Sequence, residues 1–521
     1  MSLLVVFLVV TVLIAGFIKY HRTSSLLPPG PPRRFIVGNL FDLPSTDSHL
    51  HEYFATFHAL YGPISSISVL GQHTVVLNDH QCASDLLLKR AAIYSDRPPM
   101  VFAKLAGWGI FFSIWNFGPD LSEVRKSIFK TMGTRPALRQ YLPLQEDNSR
   151  RMLMDILKMP DKTQEHVRKM VGATTLGIAY GYSVSRNVHD PLVDLAETGM
   201  RLATIAGMPG RWMCDVIPLL RFVPEWFPAA GFQKVARYHR SVARRFLQLP
   251  CTFVQQQIEK GVAKPSYTAD FLRDKPTSPR DEAILQTGGS TIYAAGSDTS
   301  AGWVPSFAPF RFLFLLYHAY RSAEMKFRDR IVGSSRLPCY DDCSDLPYTT
   351  AVVREALRIK PIAPIGVPHM SSKDEYYRGY LIPKGTTIVA NLSQISRDTA
   401  VYTDPDTFKP ERFLGEHPEP PPDFVFGYGH RVCPGKELAY QTALIACSMI
   451  LSVFKVEPSA CVEPEEWTPG IAISLKKLSC TLTPRSAEAV DLILSFDDTE
   501  YQSDEEALLS CEEMLSKSGS I

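Results

Sequence analysis

The chain has 521 residues, 45% of them apolar, enough to bury a sizeable core in one large domain or a few ordinary ones and too apolar for a disordered protein. Its 55 basic and 54 acidic side chains leave a formal charge of +1, so no global field exists to attract nucleic acid, and nucleic-acid binding is excluded as an expectation. Ten cysteines are scattered singly, and the one close pair, Cys339 and Cys343, has no second pair to complete a zinc site. A core of this size needs no disulfide staples, so most of these thiols are expected as buried packing residues in a reducing compartment.

In chain order, the first element is the apolar run Leu3 to Ile18, followed by Lys19, Tyr20, His21 and Arg22. Sixteen residues of helix rise about 24 Å against a bilayer core of about 30 Å, so Tyr20 and a snorkelling Lys19 are needed to extend the span. No small-residue cleavage site follows and the positive charge lies C-terminal to the run, which predicts a single N-terminal transmembrane helix (1–22) with the rest of the chain facing the cytosol. Pro28-Pro29-Gly30-Pro31-Pro32 lies in a proline-rich hinge (23–34), expected as a stiff spacer between anchor and body because proline fixes φ and lacks an amide donor.

The folded domain is expected over 35–485. Alternating apolar residues in Ile64 to Val69 and Thr74 to Leu77, split by Gly71, predict a β-hairpin near its start. The remainder is expected to be mostly helical, with apolar residues at three- and four-residue spacings in Val352 to Ile359 and Leu438 to Phe454. Glu355 and Arg358 are three apart, so they share a helix face and can pair. After Arg485 the chain turns acidic, and residues 486–521 are expected to be a solvated, partly disordered tail.

The chemistry concentrates in Phe426-Gly427-Tyr428-Gly429-His430-Arg431-Val432-Cys433-Pro434-Gly435, just before the apolar helix that begins near Lys436. A cysteine that ligates iron must lose its proton, and backbone amides with the positive end of a following helix stabilise the anion. The glycines permit positive φ and a close backbone approach to a flat ligand. This stretch resembles the F-x-x-G-x-R-x-C-x-G signature of the cytochrome P-450 family, whose five fixed positions match by chance in roughly one chain in 10⁴ of this length. Ala295-Gly296-Ser297-Asp298-Thr299-Ser300 is similar to the family's A-G-x-D-T-T/S stretch, and Pro410-Glu411-Arg412-Phe413 stands where the family places a P-E-R-F segment.

The resemblance implies a mainly α fold with a small β-rich lobe, holding one haem b whose iron is ligated by Cys433. Phe426, Arg431 and Gly435 of the same loop would bind the cofactor, Arg431 through a propionate. Glu355, Arg358 and Arg412 would form a structural triad. Gly296 would open space for dioxygen beside the iron, with Asp298 and Thr299 relaying protons. Phe117 to Arg125 resembles a Y-G-P-x-W-x-x-x-R segment in which Arg125 and the tryptophan contact a propionate; here Leu121 replaces the tryptophan, removing one contact. His369 matches a further propionate position. Residues 98–117 and 192–250 would line the substrate route, and Ile362 to Val367 an apolar pocket wall. The implied activity is insertion of one oxygen atom from O2 into a hydrophobic small molecule, with electrons from NADPH through a membrane-bound NADPH-cytochrome reductase; Arg125, Lys126, Lys130 and Lys436 would offer it a basic face. The endoplasmic reticulum membrane is the implied location. The texture is most similar to fungal members of secondary metabolism, those like O-methylsterigmatocystin oxidoreductase.

Two other activities are weighed. A haem-thiolate isomerase or dehydratase would not need the Asp298-Thr299 pair. A catalytically impaired haem-binding protein follows if residues 302–327 are native as written, because Pro305 and Pro309 each cost a helix about 3 kcal/mol and Arg311 to Tyr320 has no clear helical face. We read that stretch as a mis-predicted exon junction in preference to a real kink, since local propensity and fold conflict here and nowhere else in the core.

Overall fold

The computed structural model describes residues 25–44, 49–186, 189–208, 210–228, 230–274, 278–296, 335–458, 466–468, 472–473, 475–476, 480–496, 498–499 and 501–517. The Leu3 to Ile18 run, Asp298, Thr299 and the proline-broken stretch from Gly302 to Tyr320 lie outside these residues. The chain divides into two compact units.

The first unit comprises residues 1–98, 365–398 and 428–431 and holds the β-rich lobe. The expected hairpin is present: β1 (Ile64–Val69) pairs antiparallel with β2 (Gln72–Leu77), from Ile64 opposite Leu77 to Val69 opposite Gln72. β3 (His369–Met370), β4 (Glu375–Tyr377), β5 (Tyr380–Ile382) and β6 (Thr387–Ala390) come from the distant segment. β6 runs parallel to β2 and antiparallel to β3, giving the order β1-β2-β6-β3, while β4 and β5 form their own hairpin. Helix α1 (Leu50–Tyr61) carries Leu50, Tyr53, Phe54, Phe57 and Tyr61 on one stripe, and Phe54 and Phe57 pack with Ile67, Val76, Ile365 and Val389.

The Pro28 segment, expected as a stiff spacer, is bound to the sheet. Ser66 on β1 donates its backbone N–H to Pro29 O at 2.8 Å and its hydroxyl to Pro28 O at 2.5 Å, and Asn39 donates to the Pro31 and Pro32 carbonyls. Prolines lack donors but keep acceptors, and these carbonyls are used to bind the segment to the sheet. Gly30 permits the approach, since a Cβ there would lie 1.9 Å from Ser66 O.

The second unit comprises residues 99–364, 399–427 and 432–521 and is helical. Its main helices are α2 (Pro119–Met132), α3 (Leu142–Lys158), α4 (Thr163–Tyr180), α5 (Pro191–Gly207), α6 (Gly231–Glu259), α7 (Pro279–Ala295), α8 (Pro347–Ile359) and α9 (Lys436–Val453). The periodicity-based helices correspond to α8 and α9. One core gathers Trp108, Phe246, Tyr293 and Leu176 with their neighbours; another gathers Met152, Val353, Leu357, Ala446 and Met449. β7 (Phe454–Pro458) and β8 (Cys480–Pro484) pair antiparallel. The acidic tail departs from its expected disorder: it forms α10 (Ala487–Leu494) and α11 (Glu505–Lys517), burying Ile493, Leu508 and Cys511. Acidic residues occupy its outer faces, which composition alone reads as a solvated segment.

The β1–β2 turn places Leu70 at φ +50° and Gly71 at φ +81°, the two left-handed positions of a two-residue hairpin loop. Leucine is unfavourable there because its Cβ crowds the following carbonyl. Leu70→Asn is expected to raise stability by up to about 1 kcal/mol, measured as the midpoint of chemical unfolding.

Candidate functional site

Cys433 occupies the end of an irregular loop in the second unit. A 3-10 turn, Asp423–Phe426, ends at Gly427, whose φ of +86° reverses the chain. The Cys433 N–H then donates to Phe426 O at 2.8 Å, and the Cys433 carbonyl accepts from Lys436 N at the start of α9. Phe426 thus holds the loop through its backbone, while its ring lies 5.3 Å from that of Tyr440 on α9.

Among the eight cysteines whose side chains are described, six are buried, Cys339 is intermediate and Cys433 alone is exposed. Neighbouring protein atoms desolvate the thiol and push its pKa up; the Gly435 N–H and the Arg125 charge pull it back. Coordination to a metal cation deprotonates a thiol outright. A Cβ at Gly435 would lie 3.8 Å from the sulfur, so glycine keeps that flank open. Arg125 on α2 donates from Nη2 to Val432 O at 2.6 Å, bracing the residue before the cysteine. Leu121, one turn earlier, is buried in the core.

Behind the loop, Glu355 and Arg358 on α8 are wholly buried and paired at 2.7 and 2.8 Å, the two parallel bonds of a fork. Arg412 from the Pro410–Phe413 turn donates to the same carboxylate at 3.1 Å, and Lys409 N does so at 2.8 Å. Arg412 is balanced in turn by Glu419 at 2.6 Å. The expected triad is thus formed, with Glu419 as a fourth member.

In the first unit, three basic side chains meet. Arg431 donates from Nε to Ser95 O at 2.7 Å; Arg97 donates from Nη1 to Val367 O and Pro368 O at 2.6 and 2.7 Å. His369 contacts Tyr94 O through Nδ1 at 2.6 Å. All three are buried. Burial, followed by the charges of Arg97 and Arg431, pushes the His369 pKa down to about 3, so the ring is neutral. A carbonyl only accepts, which puts the proton on Nδ1 and leaves Nε2 as an acceptor. His369 would donate to a carboxylate only after gaining a proton, and an adjacent carboxylate would itself favour that gain. Arg97 was missed from the sequence, although Ser95-Asp96-Arg97-Pro98 places an arginine before a helix-breaking proline.

Gly296 is held against α4. A Cβ there would meet Thr175 Cγ2 of α4 at 2.2 Å, so the missing side chain lets the end of α7 press on α4. Asp298 and Thr299 follow beyond the described residues. The expected basic face is also partly committed: Lys436 pairs with Asp423 at 2.7 Å and Arg125 serves Val432, while Lys126 and Lys130 are exposed.

Residues 28–482 match the cytochrome P450 family. The chain belongs to that family. It is 38% identical to cytochrome P450 monooxygenase claR of Ampulloclitocybe clavipes over 93% of this chain and 91% of that protein. It is 36% identical to cytochrome P450 monooxygenase 208 of Postia placenta, covering 93% and 96%. With O-methylsterigmatocystin oxidoreductase of Aspergillus flavus it shares 34% identity, covering 91% of each chain. P450 proteins hold haem iron through a cysteine thiolate, and the residues of the second unit fit that group: one exposed soft donor at the start of a helix with a glycine beside it.

Glu355→Ala should leave two buried guanidinium groups without their shared carboxylate and destabilise the protein by about 3–5 kcal/mol, read from thermal and chemical unfolding. The His369 shift gives a pH signature. Its folded pKa lies below the unfolded value, so between about pH 6.5 and pH 3 the unfolded chain binds more protons and stability falls on acidification. His369→Gln should reduce the slope of unfolding free energy against pH in that window by an amount approaching about one proton per molecule.

Proposed function

We infer that the protein is a haem-thiolate monooxygenase that inserts one oxygen atom from O2 into a hydrophobic small molecule, the other atom leaving as water. The observation that carries this is Cys433, the one exposed cysteine among those described, set at the mouth of α9 in the family's signature loop. The relatives, monooxygenases and an oxidoreductase from fungi, support the reaction class and a place in fungal secondary metabolism. Haem b is the cofactor, and NADPH supplies electrons through a reductase.

The thiolate-bound haem supplies electron density that favours O–O cleavage. This chain's own residues do the rest. Phe426 O, the Gly435 N–H and Arg125 fix the sulfur; Arg97, Arg431 and, once protonated, His369 offer charge and hydrogen bonds to propionates. Asp298 and Thr299 carry an acid and an alcohol suited to moving protons toward reduced dioxygen. That pair disfavours an isomerase or dehydratase, which needs no such relay.

Membrane attachment through Leu3 to Ile18 belongs to the same reading, single-pass in the endoplasmic reticulum with the catalytic body in the cytosol. Among the described residues no helix is long and apolar enough to cross a membrane, and the apolar run lies outside them. Support comes from an exposed patch in the second unit, where Leu219, Phe222 and Trp226 are 74%, 69% and 82% accessible. Aromatic and apolar groups left this open, beside Arg221, suit a lipid interface. The same patch lies between α5 and α6, within the segment assigned to substrate access.

Reduced protein under carbon monoxide should show the red-shifted Soret band of a thiolate-ligated ferrous carbonyl, and Cys433→Ala should abolish it. With NADPH, reductase and isotopically labelled dioxygen, one labelled atom should appear in the product. Retention of the band in Cys433→Ala, or product formed without label, would each overturn the assignment.

A further inference from the structure

The family match ends at residue 482, yet the chain continues into two helices, and the second, with the link that precedes it, grips the segment leading to and from α5 and α6. At the front of α5, Ser183 and Asp504 are joined twice: Ser183 N donates to Asp504 Oδ2 at 2.8 Å and Asp504 N to Ser183 O at 2.9 Å. Lys264 ties the same point from beyond the end of α6, donating to Ser183 Oγ at 2.7 Å and to Asp504 Oδ2 at 3.0 Å. Arg186 and Arg151 both hold Asp498, Arg151 at 2.8 Å, and Tyr501 donates its hydroxyl to Val184 O at 2.5 Å. Along the C-terminal half of α6, Arg245 pairs with Glu512, and the Cys511 thiol donates to Gln256 Oε1 at 3.0 Å. Leu508, Cys511 and Leu515, at i, i+3 and i+7, supply the apolar stripe of α11, with Leu508 and Cys511 wholly buried.

We propose that residues 486–517 are a brace that sets how far the segment from α5 to α6 opens, and so the rate at which ligands reach the haem. The proposal rests on the reading that residues 192–250 line the access route. The brace is held at both ends of that route: at Ser183, Val184 and Arg186 before α5, and at Arg245, Gln256 and Lys264 on and after α6. At the first grip the packing is incomplete: Leu494, Phe496 and Tyr501 line an open cleft of about 570 Å³ together with Met152, Met170 and Val184. A segment lying over a cleft forfeits contacts on its inner side, so its attachment depends on the ionic and hydrogen-bonded grips. These pairs are partly exposed, Arg186 and Lys264 about half so, and salt weakens them.

The test uses the haem-loaded protein, with the carbon monoxide band as the criterion of an intact fold, and compares the parent with a truncation after Ser503 and with the double variant Asp504→Asn/Glu512→Gln. Amide exchange over residues 183–186 and 191–259 should quicken, by about tenfold in the truncation and less in the double variant. Binding of phenylimidazole to the haem, followed by absorbance, should accelerate in the same order. The parent in about 1 M sodium chloride, where the Debye length is near 3 Å, should move toward the double variant. If the truncation loses the carbon monoxide band, the double variant decides. Unchanged exchange in an intact variant overturns the brace. Faster exchange with unchanged phenylimidazole binding overturns its control of access and places the route elsewhere, leaving the grip itself standing.

Discussion

A sulfur that must take a metal has to stay open, while the backbone that aims it has to be held from behind, and the second unit resolves this conflict at Cys433. The thiol is exposed, but its N–H is spent on Phe426 O and its neighbour's carbonyl on Arg125. Behind it, α8 and α9 pack through Val353, Leu357, Ala446 and Met449, and Glu355 binds two guanidinium groups and Lys409 N. A buried carboxylate with four of its contacts satisfied is worth little against an apolar replacement, yet breaking it leaves uncompensated charge. Its value here is geometric. It fixes the Lys409–Phe413 turn to α8, and the loop carrying the cysteine is built on that base.

Charge in the first unit follows a complementary logic. Arg97 and Arg431 are buried beside His369, and the imidazole responds by remaining neutral to about pH 3. Placing like charges together is costly, and backbone carbonyls offset part of that cost: Arg97 donates to Val367 O and Pro368 O, and Arg431 to Ser95 O.

Legibility in the sequence followed the range of the interactions. The Cys433 loop, the Glu355–Arg358 pair, the β1–β2 hairpin and helices α8 and α9 are encoded within short windows, where period, glycine placement and i,i+3 spacing are visible. Arg97 was passed over because its significance comes from Arg431 and His369, more than 270 positions away. The Pro28 segment read as a spacer because prolines were counted for what they lack; its carbonyl acceptors become informative only opposite Ser66. In the tail, ten acidic residues outweighed the Leu508, Cys511 and Leu515 stripe, although that spacing is an ordinary amphipathic signal.

The glycines of α7 give the same distinction a mechanical form. Gly288, Gly289 and Gly296 lie on faces where a Cβ would meet the Tyr267 hydroxyl at 2.0 Å, Thr268 Oγ1 at 3.0 Å and Thr175 Cγ2 at 2.2 Å. Thr175 cannot easily yield, because its hydroxyl is held by Val171 O and Gly172 O. Tyr267 is similarly held by Ser127 on α2 at 2.9 Å. α7 is therefore sunk into α4 and the Tyr267–Arg273 helix along a face without side chains, and Tyr293 is clamped between Phe246 at 4.5 Å and Tyr180 at 6.0 Å. A helix seated by close backbone approach has little freedom to slide, since any shift drives backbone into side chain. Gly296 so acts as part of the bearing surface from which the chain departs toward Asp298 and Thr299, and its requirement for glycine is met by packing on α4 before any demand of oxygen chemistry is considered.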